Sequence, residues 1–226
     1  MNRFSGRREA VLGLGAYGLY LLVRAAVLNE RGRLRARRNA ERVVALERRL
    51  GIHVEPVFQR LLLPRRRLLG VLNVAYVTLN VLLTVGWPLR LFFLRHRGFH
   101  RTRTAVCLAI VGGCPVFLVF PCDPPRTVEG FTDTIKETGF DLDRGLVVRL
   151  YNPIAAFPSI HIAFAVVTAA SVAQTAESAW LRRLAPAYPP AIVTTVFATA
   201  NHYVVDAVGG AVLAALALRL ARALER

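Results

Sequence analysis

Apolar residues run in long unbroken stretches along this chain, and polar residues gather between them. Residues 68–89, 104–122 and 184–201 carry no charge and no histidine, residues 159–176 carry only His161, and residues 203–218 carry only Asp206. Residues 11–28 form a weaker run that holds Arg24. A helix crossing the hydrocarbon core of a bilayer needs about 20 mostly apolar residues. The pattern therefore predicts an all-α, polytopic bundle of six transmembrane helices. The alternating segments of roughly ten residues that build a membrane barrel are absent, and no internal repeat is found.

Two connections break the pattern. In segment 29–67, Val43, Leu46 and Leu50 form an apolar stripe at helical spacing among charged residues, with Gly51 as a helix stop and Pro56 as a breaker. This predicts an amphipathic helix lying in the membrane interface. It divides the chain into an N-terminal span with a basic interfacial segment (1–67) and a catalytic bundle (68–226), within one structural domain. Segment 121–158 is the other long connection, and a loop of that length without periodicity tends to be functional.

Composition agrees with a membrane protein. The chain has 226 residues, 54% hydrophobic, with mean hydropathy +0.42. The net charge is +16, and Lys136 is the single lysine among 30 basic residues. The arginines sit between apolar runs, which suits anionic lipid headgroups rather than nucleic acid. The three cysteines have neither metal-site spacing nor an even count for a disulfide framework. Arg3, Arg7 and Arg8 before residues 11–23 mimic a signal peptide, but no cleavage site follows, so an uncleaved first span is expected.

Span parity then places the candidate chemistry. The chain crosses from residue 159, turns at Arg182-Arg183 and returns through 184–201, so His202 regains the side of His161 and of loop residue Arg126. The other side holds Arg90, Arg95, Arg97, Arg101 and Arg103, as a cytoplasmic face would. Yet segment 29–67 puts 12 arginines on the candidate-site side, so charge alone leaves the orientation open.

An aspartate inside an apolar run is a functional candidate by default. Asp206 lies four residues after His202, where it can hold the imidazole Nδ1–H and leave Nε2 free as nucleophile or base. Ser159 is a natural N-cap before His161, and such a helix start also suits an anion. His161 on the first turn suits proton donation to a leaving oxygen. Arg126 offers a bidentate phosphate donor, and Lys136 a weaker one. Gly13-Leu-Gly15-Ala-Tyr-Gly18 matches a dinucleotide fingerprint, but inside an apolar run it is expected to serve close helix packing. His96 and His100 lack a third ligand, so no metal site is expected. Two readings of another class stay open: a membrane haem protein with His161 and His202 as axial ligands, and a non-catalytic lipid-binding protein.

Pro158-Ser159-Ile160-His161 and His202-Tyr-Val-Val-Asp206 resemble the P-S-x-H and H-x-x-x-D motifs of the type 2 phosphatidic acid phosphatase superfamily, which includes the vanadium haloperoxidases. The resemblance implies that fold and a metal- and cofactor-free phosphoryl transfer. His202 would form a phosphohistidine, Asp206 would orient it, His161 would act as acid and base, and Ser159 would bind phosphate. The superfamily's K-x6-R-P motif and the arginine before the nucleophile are missing; Thr195-Val196 stand there. Pro124-Pro125-Arg126, Gly130-Phe-Thr-Asp133-Thr134, Asn152-Pro-x-Ala-Ala-x-Pro-Ser and Asn201-His-Tyr203 look like the inositol phosphorylceramide synthase branch and its bacterial relatives. That branch implies a multi-pass cell-membrane enzyme acting on a phosphorylated lipid, with an extracytoplasmic site. Arg126, Lys136, Ser159, Asn201 and Tyr203 would be its substrate-binding residues. A plain phospholipid or polyprenyl (di)phosphate phosphatase is the alternative.

Overall fold

The computed structural model describes residues 4–137 and 150–225. Part of the 121–158 connection, together with Arg3 and Arg226, lies outside them. The elements are α1 (Gly6–Val27), α2 (Glu30–Leu50), α3 (Glu55–Leu62), α4 (Arg66–Val74), α5 (Asn80–Phe93), α6 (Phe99–Val119), the short α7 (Thr134–Glu137), α8 (Ile160–Thr175), α9 (Ala179–Leu184), α10 (Tyr188–Ala198) and α11 (Val204–Ala223). A π-helical turn, Ala75–Leu79, joins α4 to α5. Among the described residues there is no strand, only an isolated bridge between Cys122 and Ala155.

α1, α6 and α11 are each long and apolar enough to cross a membrane, and α5 and α8 are shorter apolar helices. Leu14, Leu22, Leu82, Val119 and Val212 stand more than half exposed on the outside, as lipid-facing residues do. Run 184–201 is not one helix. Pro186, Pro189 and Pro190 confine regular helix to the 11 residues of α10, because proline fits only in a first turn. At 1.5 Å per residue, α10 spans only about 16 Å.

Segment 29–67, where an amphipathic helix is expected, holds helix α2, and Gly51 ends it in the left-handed conformation at φ 68°. Its stripe is divided. Ala36, Ala40, Val43, Val44 and Glu47 are buried inward, whereas Leu46 and Leu50 are exposed. The inward face packs against Cys122, Ala156 and Tyr203. Pro56 opens α3, in whose first turn its missing N–H costs nothing.

α11 packs on α6 and α8, and α1 packs on α6. Ala105, Ala109, Ala163, Ala214, Ala217 and Ala221 meet at the centre, where small side chains let helices approach closely. The glycines of α1 do not serve that purpose: a Cβ at Gly13, Gly15 or Gly18 would meet nothing within 4 Å. Gly210 does, because a Cβ there would lie 2.3 Å from the Ser159 carbonyl oxygen at the start of α8.

Gly210→Ala is therefore expected to cost about 1–3 kcal/mol through overpacking, read as a lowered thermal unfolding midpoint in detergent. Gly15→Ala, in the interior of α1 and facing open space, is expected instead to stabilise by about 0.5–1 kcal/mol.

Candidate active site

The start of α11 organises the site. After α10, Ala200 takes a left-handed conformation at φ 51°, which turns the chain sharply before Asn201-His202. Three carboxylates then meet the first backbone N–H groups. Tyr203 N donates to Asp206 Oδ2 at 2.9 Å, Val204 N to Glu55 Oε1 at 2.7 Å, and Val205 N to Glu47 Oε1 at 2.8 Å. All three acids are fully buried. A helix N-terminus is the setting in which buried negative charge is stabilised.

His202 sits just before α11 rather than on its surface, so it meets Asp206 as part of a cap and not across a helical turn. Its Nδ1 lies 3.0 Å from the Ala156 carbonyl oxygen and 3.3 Å from Asp206 Oδ2. Both partners accept only, so Nδ1 carries the proton in the neutral ring. Burial holds the imidazole pKa below its ordinary value, which keeps the ring neutral. Nε2, buried and without a hydrogen-bond partner among the described residues, is then a bare lone pair.

His161 faces it. Its ring centroid lies 5.7 Å from that of His202 and 4.3 Å from that of Tyr76. Ser159 caps α8 by accepting from Ile162 N at 3.3 Å, and its own N–H donates to the Asp206 carbonyl oxygen at 3.0 Å. Asn80 Nδ2 donates to the His161 carbonyl oxygen at 2.8 Å. The two histidine strings are thus tied together through backbone as well as side chains.

A small cavity of about 40 Å³ lies between the rings, lined by Tyr20, Tyr76, Phe117, Tyr151, Asn152, Ala155, Ile160, His161 and His202. At roughly 10–15 Å³ of such volume per water, it suits a group of phosphate size. Three buried side-chain nitrogens on its wall lack hydrogen-bond partners among the described residues: His202 Nε2, His161 Nδ1 and Asn152 Nδ2. Asn152 Oδ1 accepts from Ile154 N at 3.2 Å, which turns its amide NH₂ the other way.

A much larger apolar cavity of about 990 Å³ lies between α1, α5 and α6 and reaches His161. Gly6, Ala10, Gly13, Tyr17 and Tyr20, one face of α1, line it. At 1.5 Å per residue that face runs about 20 Å. Tyr20, Tyr76, Tyr151, Ile160 and His161 wall both cavities.

The remaining candidates sit elsewhere. Arg126 is buried one layer behind the small cavity. Its Nε donates to Asn201 Oδ1 at 3.1 Å and an Nη donates to Asp133 Oδ2 at 3.0 Å, and it hydrogen-bonds with cavity residue Tyr151. Asn201 thus holds Arg126 rather than lining either cavity. Tyr203 is fully buried in the core beside Ala40, Val43 and Cys122. Lys136 is over half exposed, 4.0 Å from Asp133.

No sequence motif points to Tyr20, Tyr76 or Tyr151, whereas Asn152 opens the Asn152-Pro-x-Ala-Ala-x-Pro-Ser string. Tyr76 carries a periodic signal. Asn73, Tyr76, Asn80 and Thr84 recur every three or four residues through an otherwise apolar run, and all four are buried.

A sequence model of the PAP2 superfamily matches residues 41–220. The chain belongs to the PAP2 superfamily. No curated protein and no solved structure matches it. PAP2 membership supports a phosphatase-type function on lipid phosphates, and the matched residues include both histidine strings, Glu47, Glu55 and the wall of the small cavity except Tyr20.

Nitrogen NMR of histidine-labelled protein is expected to show His202 neutral with its proton on Nδ1. In Asp206→Asn, where a carboxamide NH₂ can face the ring, the Nε2–H tautomer is expected to gain population.

Proposed function

We propose that the protein is an integral membrane enzyme that moves a phosphoryl group from a lipid phosphate through a phosphohistidine at His202. The observation that carries this reading is that the two cavities adjoin. A chamber of about 40 Å³ between the histidines, with three unpartnered side-chain nitrogens on lining residues, shares wall residues with an apolar groove of about 990 Å³. The chamber suits the phosphate and the groove the hydrocarbon chain, at the upper end of the usual ~300–1,000 Å³ range of ligand pockets. The chamber is far too small for the macrocycle of a haem held between the two rings.

In the first displacement His202 Nε2 attacks phosphorus, and the bond from phosphorus to the leaving oxygen breaks. His161 gives that oxygen its proton. In the second, an acceptor oxygen attacks the phosphohistidine, His161 takes the acceptor's proton, and the P–N bond breaks. Asp206 keeps the proton on His202 Nδ1 and stabilises the positive ring as the bond forms. Asn152 Nδ2 and the N-terminus of α8 at Ile160 donate to phosphate oxygens, while Arg126 adds positive charge from behind Tyr151. The reaction needs no metal or cofactor at the histidines.

Likeness to the inositol phosphorylceramide synthase branch assigns an alcohol as acceptor; with water the same machinery is a phosphatase. The bundle crosses the membrane six times, with α2 at the interface among anionic headgroups, and the site faces the extracytoplasmic side.

Purified protein incubated with radiolabelled lipid phosphates, with and without alcohol acceptors, is expected to give either free phosphate or a new phosphorylated lipid. It should also give an acid-labile phosphoprotein that is missing in His202→Ala. His202→Ala and His161→Ala are each expected to lose at least about 10³-fold in turnover while still expressing. Full activity in both variants would overturn the mechanism.

Gly13 lines the groove with open space around it. Gly13→Phe is therefore expected to raise KM for long-chain lipid phosphates about tenfold. It should leave a soluble short-chain phosphate ester little affected.

A further inference from the structure

Outside the two cavities, Glu47, His53 and Glu55 converge on one point. Glu47 stands in the last turn of α2, His53 in the connection and Glu55 at the start of α3. Both carboxylates are fully buried, and the His53 side chain is 13% exposed. One oxygen of each acid is spent on the first turn of α11. The second oxygens face the same ring nitrogen: His53 Nδ1 lies 3.4 Å from Glu47 Oε2 and 3.2 Å from Glu55 Oε2. One ligand atom from each residue falls within 4.8 Å of the others.

The two contacts cannot both be good hydrogen bonds. N–H···O bonds favour 2.7–3.2 Å, and a single Nδ1–H cannot point well at two oxygens. Glu55 Oε2 is buried against the His53 ring and the Glu47 carboxyl, and no arginine or lysine among the described residues forms an ion pair with either acid. The spacing fits another arrangement. Ligand atoms about 2.0–2.1 Å from a tetrahedral ion lie roughly 3.3–3.4 Å from one another. Two carboxylate oxygens and one imidazole nitrogen suit a borderline divalent cation, with a fourth position left for water. Such an ion also offsets two buried negative charges that the helix N-terminus alone must otherwise hold.

We propose that Glu47, His53 and Glu55 form a binding site for a divalent transition-metal ion of the zinc type, bridging α2 and α3 beneath the start of α11. The ion touches no reacting atom. It fixes the carboxylates that cap Val204 and Val205, and through them the backbone that carries His202, so its role is positional. The inference stands apart from the proposed chemistry, since the cluster lies off both cavities. The competing arrangement is a proton shared by the two acids: burial pushes Glu55 up to about 7 and raises Glu47 as well.

The test uses the full chain in detergent, stripped with chelator and then titrated with Zn²⁺ alone. Wild type is expected to retain one equivalent through gel filtration and to gain thermal stability. With Co²⁺ instead, it should show the visible absorption of a tetrahedral site. His53→Ala and Glu55→Gln are expected to bind at least about tenfold more weakly and to lose that absorption, while His96→Ala keeps both. Glu55→Gln preserves an acceptor for Val204 N, and His53→Ala leaves both carboxylate caps in place, so each tests the ion apart from folding. A wild type that retains no ion, or variants that bind as wild type does, would overturn the site and leave the shared proton as the explanation.

Discussion

The capping of α11 by three buried carboxylates is the interaction on which the rest of the site depends. Asp206, Glu55 and Glu47 each accept from a successive backbone N–H at Tyr203, Val204 and Val205. Each acid comes from a different helix, so the cap pins α2 and α3 to α11 at one place. Charge-assisted bonds at a helix N-terminus are worth more than neutral ones, and an acid left there without its donors would be a buried uncompensated charge. The cap therefore cannot slip by one residue without breaking several bonds at once. His202 is the residue just before it.

That placement determines what His202 can do. With the backbone fixed, Nδ1 is held between a carbonyl and a carboxylate, and the ring has no choice of tautomer. Nε2 is left without a partner among the described residues, on a ring that shares a small chamber with His161. The Ser159–Asp206 backbone bond locks the second histidine string to the first, and Gly210 allows the two helices to approach closely enough for that bond to form. Arg126 stands behind the chamber, its guanidinium held by Asn201 and Asp133.

The groove beside the chamber connects the fold to its setting. α1 leans on α6 and leaves its glycine-bearing face toward α5, so an apolar channel about 20 Å long opens toward the surface that the exposed leucines and valines mark as lipid-facing. Under the proposed function, a lipid phosphate whose hydrocarbon chain lay there would present its phosphate to the histidines. Chemistry and membrane thus meet at the shared residues Tyr20, Tyr76, Tyr151, Ile160 and His161.

Much of this was legible in the residue order. Long charge-free runs predict helices because the apolar demand of a bilayer core is a matter of length and composition. Counting spans predicts that His202 and His161 share a side, and their ring centroids stand 5.7 Å apart. Ser159 as a cap, Gly51 as a helix stop and Asp206 as the partner of His202 are local relations over a few residues, and such relations survive folding. The residues that read wrongly or not at all depend on contacts distant in sequence. Gly13, Gly15 and Gly18 looked like packing residues, yet none meets a neighbour and Gly13 borders a groove, because that depends on where the other helices lie. Tyr203 looked like a substrate contact and is core, because α2 covers it. Asn152 and Tyr20 acquire their places only where the chain segments around them meet. Glu47, His53 and Glu55 have no recognised ligand spacing, and they form a cluster only because α11 needs caps that its own sequence does not supply. The sequence by itself determined the helices and the histidine pair. The tertiary structure alone decided what lies between and behind them, since burial and unpartnered atoms are properties of segments brought together, not of their order.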